Sequence, residues 1–231
     1  MRKIFWDNPY QSYLETRVVS VDNNRILFEE TIVFSFSGGQ ESDKADINGF
    51  AVIHSEIDGN LIYYTLPDGH NFKPGNVVTM KIDWPRRYRL MRLHFAAELI
   101  LELVVQKLNP EKIGAHIAET KARIDFFYNQ NISFLFEDLL RDYNAIIEKN
   151  YPIKTGFTDI QNQRRFWEIE GFSKVACGGT HVKKTSEVGY ITLKRINVGS
   201  CKERIEIKLI DNNLGLNGKD PMFRTKQSLT I

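Results

Sequence analysis

Cys177 and His181 lie four residues apart across Gly178-Gly179, so a thiolate and an imidazole can converge on one point. His94 and Glu98 are also four apart, inside a run with apolar residues at helical spacing. On a helix such a pair projects from one face. Two pairs from distant segments give a mixed nitrogen, sulfur and oxygen donor set of the kind that holds zinc tetrahedrally. Each pair alone has an ordinary reading, as a small buried cysteine with a loop histidine, or as an exposed helix pair. Their surroundings favour the metal.

Trp84 to Arg92 carries four arginines, at 86, 87, 89 and 92, among aromatic residues, and Lys183-Lys184 and Lys194-Arg195 follow the cysteine motif. Basic side chains beside a reactive pocket can neutralise RNA phosphates; a solvated helix start and strand edges account for them equally well. The net charge of +2 is too small to mark a nucleic-acid binder by composition alone. With 231 residues, 42% hydrophobic and 26% charged, the chain suits a globular protein of one large or two modest domains. Two cysteines, Cys177 and Cys201, argue against a disulfide framework. No apolar run approaches a membrane span, and the start Met1 to Asp7 lacks the apolar core of a secretory signal. A cytoplasmic protein without a membrane partner is expected, and a monomer is favoured.

These side chains need elements to position them. Up to about residue 84 the chain reads as short strands: Thr16–Val21, Arg25–Glu30, Thr31–Phe36, Phe50–Ile57, Leu61–Thr65 and Val77–Ile82. Asp22-Asn23-Asn24, Asp58-Gly59-Asn60 and Pro74-Gly75-Asn76 supply the turns. Such spacing predicts a small β-barrel over 1–84. Pro85 opens a helix, with Leu90, Leu93, Ala97, Leu101, Val104 and Leu108 at helical spacing as far as Asn109-Pro110. Beyond it, strands at Ala122–Tyr128, Arg165–Glu170, Gly189–Ile196 and Glu203–Leu209 and a helix near Leu135–Lys149 predict an α+β domain over 85–231. The polar tail after Asp211 is expected to be poorly ordered.

Phe5-Trp6-Asp7-Asn8-Pro9-Tyr10, Glu30-Thr31 leading to Ser37-Gly38-Gly39-Gln40, Arg87 to His94, Gly114 to Ile117, and Cys177-Gly178-Gly179-Thr180-His181-Val182 occur in that order. The ordered set resembles the free-standing alanyl-tRNA editing proteins, the AlaX family of medium length, which are similar to the editing domain of alanyl-tRNA synthetase. The resemblance implies a zinc-dependent hydrolase, one zinc per chain, that removes serine, and less often glycine, from the acceptor arm of tRNA(Ala). It implies His94, Cys177, His181 and position 98 as ligands, Thr31 as the group that meets the serine hydroxyl, and Gln40 as a pocket residue. Gly38 and Gly39 would admit the acceptor end, and Arg86, Arg87 and Arg89 would hold it.

The family's helix carries His-x-x-x-His, and position 98 is Glu here. As a ligand Glu98 adds a second anion and weakens the metal as a Lewis acid. Standing off, it leaves three ligands and an open position, and could serve as general base. Loss of metal would leave a silent tRNA-binding module, and a structural zinc protein is a further alternative. Ser35-Phe36 replaces a usual Tyr-Pro, and one glycine is missing before Gln40. His54, His70 and His116 read as structural or surface residues, Asp125 as a strand carboxylate paired with Arg123, and Cys201 as a thiol outside the site.

Overall fold

The computed structural model describes residues 1–210; the tail after Asp211 lies outside them. The chain is a mixed α and β protein, mostly sheet. It opens with β1 (Arg2–Lys3), a four-residue helix α1 (Ile4–Asp7), and β2 (Tyr13–Asp22). There follow β3 (Arg25–Phe28), β4 (Glu30–Thr31), β5 (Ala45–Ile47), β6 (Phe50–Ala51), β7 (His54–Asp58), β8 (Leu61–Thr65) and β9 (Val77–Ile82). The expected barrel is a half-barrel: a seven-stranded sheet in the order β6-β5-β9-β2-β3-β8-β7 whose ends do not pair. The bend has a local cause. Tyr13–Arg17 of β2 pairs with β9, Val18–Asp22 pairs with β3, and a register shift separates Val18 from Ser20. At the open corner Val52 and Ile53 link the two ends, donating to Ala45 O and Thr65 O at 2.9 Å each.

The strand expected over Thr31–Phe36 stops at Thr31. Side chains take its amides: Val33 N donates to Thr31 Oγ1 at 3.0 Å and Phe34 N to Asp43 Oδ2 at 2.7 Å. Ile32, Val33 and Phe34 still point into the core. Burial decided their inward direction, and the ladder was dispensable.

The long helix α2 (Trp84–Leu108) starts where Asp83 accepts from Arg86 N, with Pro85 in its first turn, and ends at Asn109 in the left-handed region. Then come β10 (Glu111–Ile117), β11 (Ala122–Phe127), α3 (Phe136–Glu148), β12 (Lys154–Asp159), β13 (Arg164–Ile169), β14 (Ser173–Ala176), β15 (Ile191–Gly199) and β16 (Lys202–Leu209). They form a four-stranded sheet, β10-β11-β16-β15, and a three-stranded one, β12-β13-β14. Two apolar clusters form. One draws on residues between Ile4 and Ile82; the other runs from Leu90 to Ile207 and centres on α2 against Ile124, Phe126, Ile205 and Trp167. Among the described residues no helix is long and apolar enough to cross a membrane.

Candidate metal centre

His94 and Glu98 project one turn apart from the same face of α2, and both are largely buried. Cys177 leaves β14 with its N–H donated to Arg165 O at 2.9 Å, which fastens it to β13. The Gly-Gly turn then returns His181 to the same point. Cys177 Sγ lies 3.3 Å from His181 Nε2, 3.5 Å from His94 Nε2 and 3.7 Å from Glu98 Oε1. Glu98 Oε1 is 3.4 Å from His94 Nε2. Donors bound to one tetrahedral zinc at its usual bond lengths stand about 3.3–3.6 Å apart. The donor atoms of His94, Cys177 and His181 all fall within 4.8 Å of one another, so these side chains fit a single metal ion.

The second oxygen of Glu98 is already engaged: Oε2 accepts from the indole N–H of Trp167 at 2.9 Å, and Trp167 is fully buried. This bond leaves Oε1 facing the cysteine and histidine. Sequence reasoning missed Trp167. Its signal was its place on β13, where the alternating residues Arg165, Trp167 and Ile169 share the buried face.

Burial alone would push the Cys177 thiol up, but His94 and His181 outweigh it and bring it down to about 6. Burial likewise opposes ionisation of Glu98, yet His94 and Trp167 hold its carboxyl down at about 2. His94 is depressed by burial and raised more by Cys177 and Glu98, to about 10. Metal-free, the cluster is two anions sharing a proton on imidazole. A metal ion would take the place of that proton and release it.

Supports surround the cluster. A Cβ on Gly179 would overlap the His94 ring, so the loop approaches that closely only as glycine. Gln40 Nε2 donates to Thr180 Oγ1 at 2.9 Å while its Oε1 accepts from Thr180 N at 3.1 Å, bracing the loop from the half-barrel side. The indole N–H of Trp6 donates to Gly178 O at 2.8 Å. Beyond His181, Glu187 accepts from Lys183 N, Lys184 N and the Tyr10 hydroxyl. His94 Nδ1 is buried without a hydrogen-bond partner.

Other expected site residues lie elsewhere. Thr31 is fully buried in the half-barrel, its Oγ1 bonded to the Tyr64 hydroxyl at 2.7 Å and to Val33 N. Arg87, expected to meet a phosphate, is wholly buried against Asp43 and donates to Ile32 O and Pro9 O. Arg86 bridges Glu41 and Glu119 at 2.7 and 2.5 Å, and Arg89 donates to Glu119 O. Arg92 donates to Val188 O. A buried guanidinium needs a carboxylate, so Arg86 and Arg87 are spent on tying α2 to the segment after Gln40. Gly38 faces open space, whereas a Cβ on Gly39 would stand 2.7 Å from Ala115 O. His116 sits 3.6 Å from Glu41, and Cys201 is exposed, both outside the cluster. Asp125 pairs with Arg123 as expected, and also with Arg204.

The profile of the family described as "Threonyl and Alanyl tRNA synthetase second additional domain" matches residues 165–206, which carry Cys177 and His181. The alanyl-tRNA editing protein AlaX-M of Pyrococcus horikoshii is 32% identical over 90% of this chain and 97% of its own length. The chain belongs to the alanyl-tRNA editing protein family. A second AlaX-M, from Methanosarcina acetivorans, is 28% identical over 82% of this chain and 91% of its length. The alanine–tRNA ligase of Methanococcus maripaludis is 29% identical over 88% of this chain but only 25% of the ligase. This alanyl-tRNA editing protein thus matches a quarter of the ligase and nearly the whole of the free-standing relative.

Proposed function

We propose that this protein hydrolyses the ester linking serine to tRNA(Ala), with glycine as a lesser substrate, using one zinc held by His94, Glu98, Cys177 and His181. The observation that carries the reading is the convergence of His94, Cys177 and His181, with Trp167 leaving Glu98 Oε1 3.4 Å from His94 Nε2 and 3.7 Å from Cys177 Sγ, in a chain of the alanyl-tRNA editing family. A zinc ion held there supplies Lewis acidity to ester hydrolysis.

The chain's own residues do the rest. Cys177 and Glu98, both ionised, balance the charge of a divalent ion, which moderates its acidity relative to a site with one anion. Gln40 and Thr180 keep the Gly179 backbone against the His94 ring. Rejection of alanine follows when a group built to bond a hydroxyl is left unpaired without one. On the family pattern that group is Thr31; here its hydroxyl is bonded to Tyr64 and Val33, so reading serine requires it to exchange Tyr64 for the substrate.

The test is deacylation of Ser-tRNA(Ala), Gly-tRNA(Ala) and Ala-tRNA(Ala) alongside zinc content. Serine release with Ala-tRNA(Ala) left intact, from protein carrying about one zinc per chain, is expected. Zinc-loaded protein that leaves Ser-tRNA(Ala) untouched would refute the reading.

A further inference from the structure

We propose that a second binding site adjoins the donor cluster: a small cleft in which the Arg165 guanidinium receives the phosphate joining the terminal nucleoside of the acceptor end to its neighbour. The proposal rests on the editing reading above and deepens it. The cleft is lined by Trp6, Asp7, Arg165, Thr180, His181 and Lys183, among others. It therefore shares the Thr180-His181 segment with the cluster.

Arg165 is only 7% exposed, and among the described residues no carboxylate forms an ion pair with it. Among the described residues its guanidinium makes one hydrogen bond, from Nη2 to Trp6 O at 3.1 Å. Its guanidinium lies 4.6 Å from the Phe157 ring centroid and 5.3 Å from that of Trp6. Desolvating a cation without an anion is costly, and Arg87 shows the usual remedy in this same fold, where Asp43 neutralises it. Arg165 retains donors for an anion from outside. Asp7 favours the Arg165 cation through space but forms no ion pair with it among the described residues, its carboxylate accepting from Arg2 at 3.1 Å. The Lys183 ammonium lies over the Tyr10 ring at 4.8 Å, adding positive charge.

The chemistry of the ligand follows from the donor and its position. A planar guanidinium matches the paired oxygens of a phosphodiester. An acceptor end whose ester lies at the cluster carries its nearest phosphate one ribose away, on the 5′ side of the terminal nucleoside. The aromatic rings beside Arg165 hold the cation in place and leave recognition to charge, so the site selects a phosphate and not a particular base.

The experiment compares two small seryl esters, seryl-adenosine without a phosphate and the 3′ seryl ester of the dinucleotide CpA with one. It adds binding of unesterified CpA and adenosine to the zinc-loaded protein. Arg165→Met keeps the packing stem and removes the charge. It is expected to weaken CpA relative to adenosine by roughly tenfold or more, and to lower the ratio of kcat/KM for the two esters by a similar factor, chiefly through KM. Arg165→Lys should recover part of both. The salt dependence of tRNA(Ala) binding should lose about one unit of slope in Arg165→Met. Equal losses on both esters, or an unchanged preference for CpA, would overturn the phosphate site and make Arg165 structural. Should wild type hydrolyse neither ester, the editing reading fails, while CpA against adenosine binding still decides the phosphate site. If Arg165→Met does not fold, the same comparison in Arg165→Lys decides, with no loss of CpA preference counting against the proposal.

Discussion

At the scale of single residues, Glu98 sets this protein apart from the His-x-x-x-His pattern, and Trp167 explains how the site accommodates it. A carboxylate turned by an indole N–H presents one oxygen to the cluster and hides the other. Glu98→Gln keeps the size but loses the charge, and its amide nitrogen would oppose either the metal or the Trp167 N–H. Zinc affinity in Glu98→Gln is expected to fall by about tenfold or more, as for loss of an outer partner of a ligand or worse, and Glu98→His should restore it; metal titration against a chromophoric chelator measures both. Normal affinity with a collapsed rate would instead make Glu98 a general base. Cys177 supplies the cluster's only thiolate, so Cys177→Ala should lose tight zinc binding by elemental analysis, whereas the exposed Cys201→Ala should keep the wild-type content. Thr31→Val removes the acceptor of Val33 N and the partner of Tyr64, and should cost about 1–3 kcal/mol of stability by denaturant titration.

At the scale of elements, the site is made by one helix face and one loop held from three directions. Gly179 is where these meet, since its missing side chain is the space the His94 ring fills. Gly179→Ala should therefore push the loop from α2 and lower zinc occupancy while far-UV circular dichroism stays near wild type. Much of this was legible in the sequence. The i, i+4 spacing on an apolar-periodic run fixes His94 and Glu98 to one face wherever the helix packs, and Cys-Gly-Gly-Thr-His carries its own turn. The roles of Arg86 and Arg87 were not legible, because a cluster of cations looks the same in sequence whether it faces water or buried acids. Their partners Glu41, Asp43 and Glu119 lie in other segments, and only tertiary pairing joins them. The strands β10 and β12 were hidden for a different reason. Each contains a glycine and a register shift, Gly114 and Gly156 among mostly exposed residues, so neither shows a clean two-residue alternation.

At the scale of the whole molecule, ionic pairing across the four-stranded sheet makes stability depend on pH. Arg204 and Arg123 hold the Asp125 carboxyl below the ordinary carboxylate range, against the upward pull of burial. A carboxyl depressed in the folded state adds stability that is fully present above its unfolded pKa and is lost as pH falls through the folded value. Wild type should therefore exceed Asp125→Asn in urea resistance at neutral pH, and the gap should close in acid. A gap that widened in acid would contradict the pairing.

The contacts of the first ten residues also bear on the order of events in synthesis. Lys3 meets Gln163, Trp6 meets Gly178 and Tyr10 meets Glu187, each across more than a hundred and fifty positions of chain. This segment thus leaves the ribosome well before the residues it bonds to. Half-barrel strands ending at Ile82 can pair among themselves, and Tyr10 can meet Trp84 and Tyr88, while the bonds of Trp6 to Gly178 and of Tyr10 to Glu187 wait until the segment through Glu187 has been made. A nascent chain in that interval has no complete donor set, because Cys177 and His181 do not yet exist. The donor cluster can therefore assemble only after the segment through His181 has been made, together with the docking of Trp6 and Tyr10 onto it.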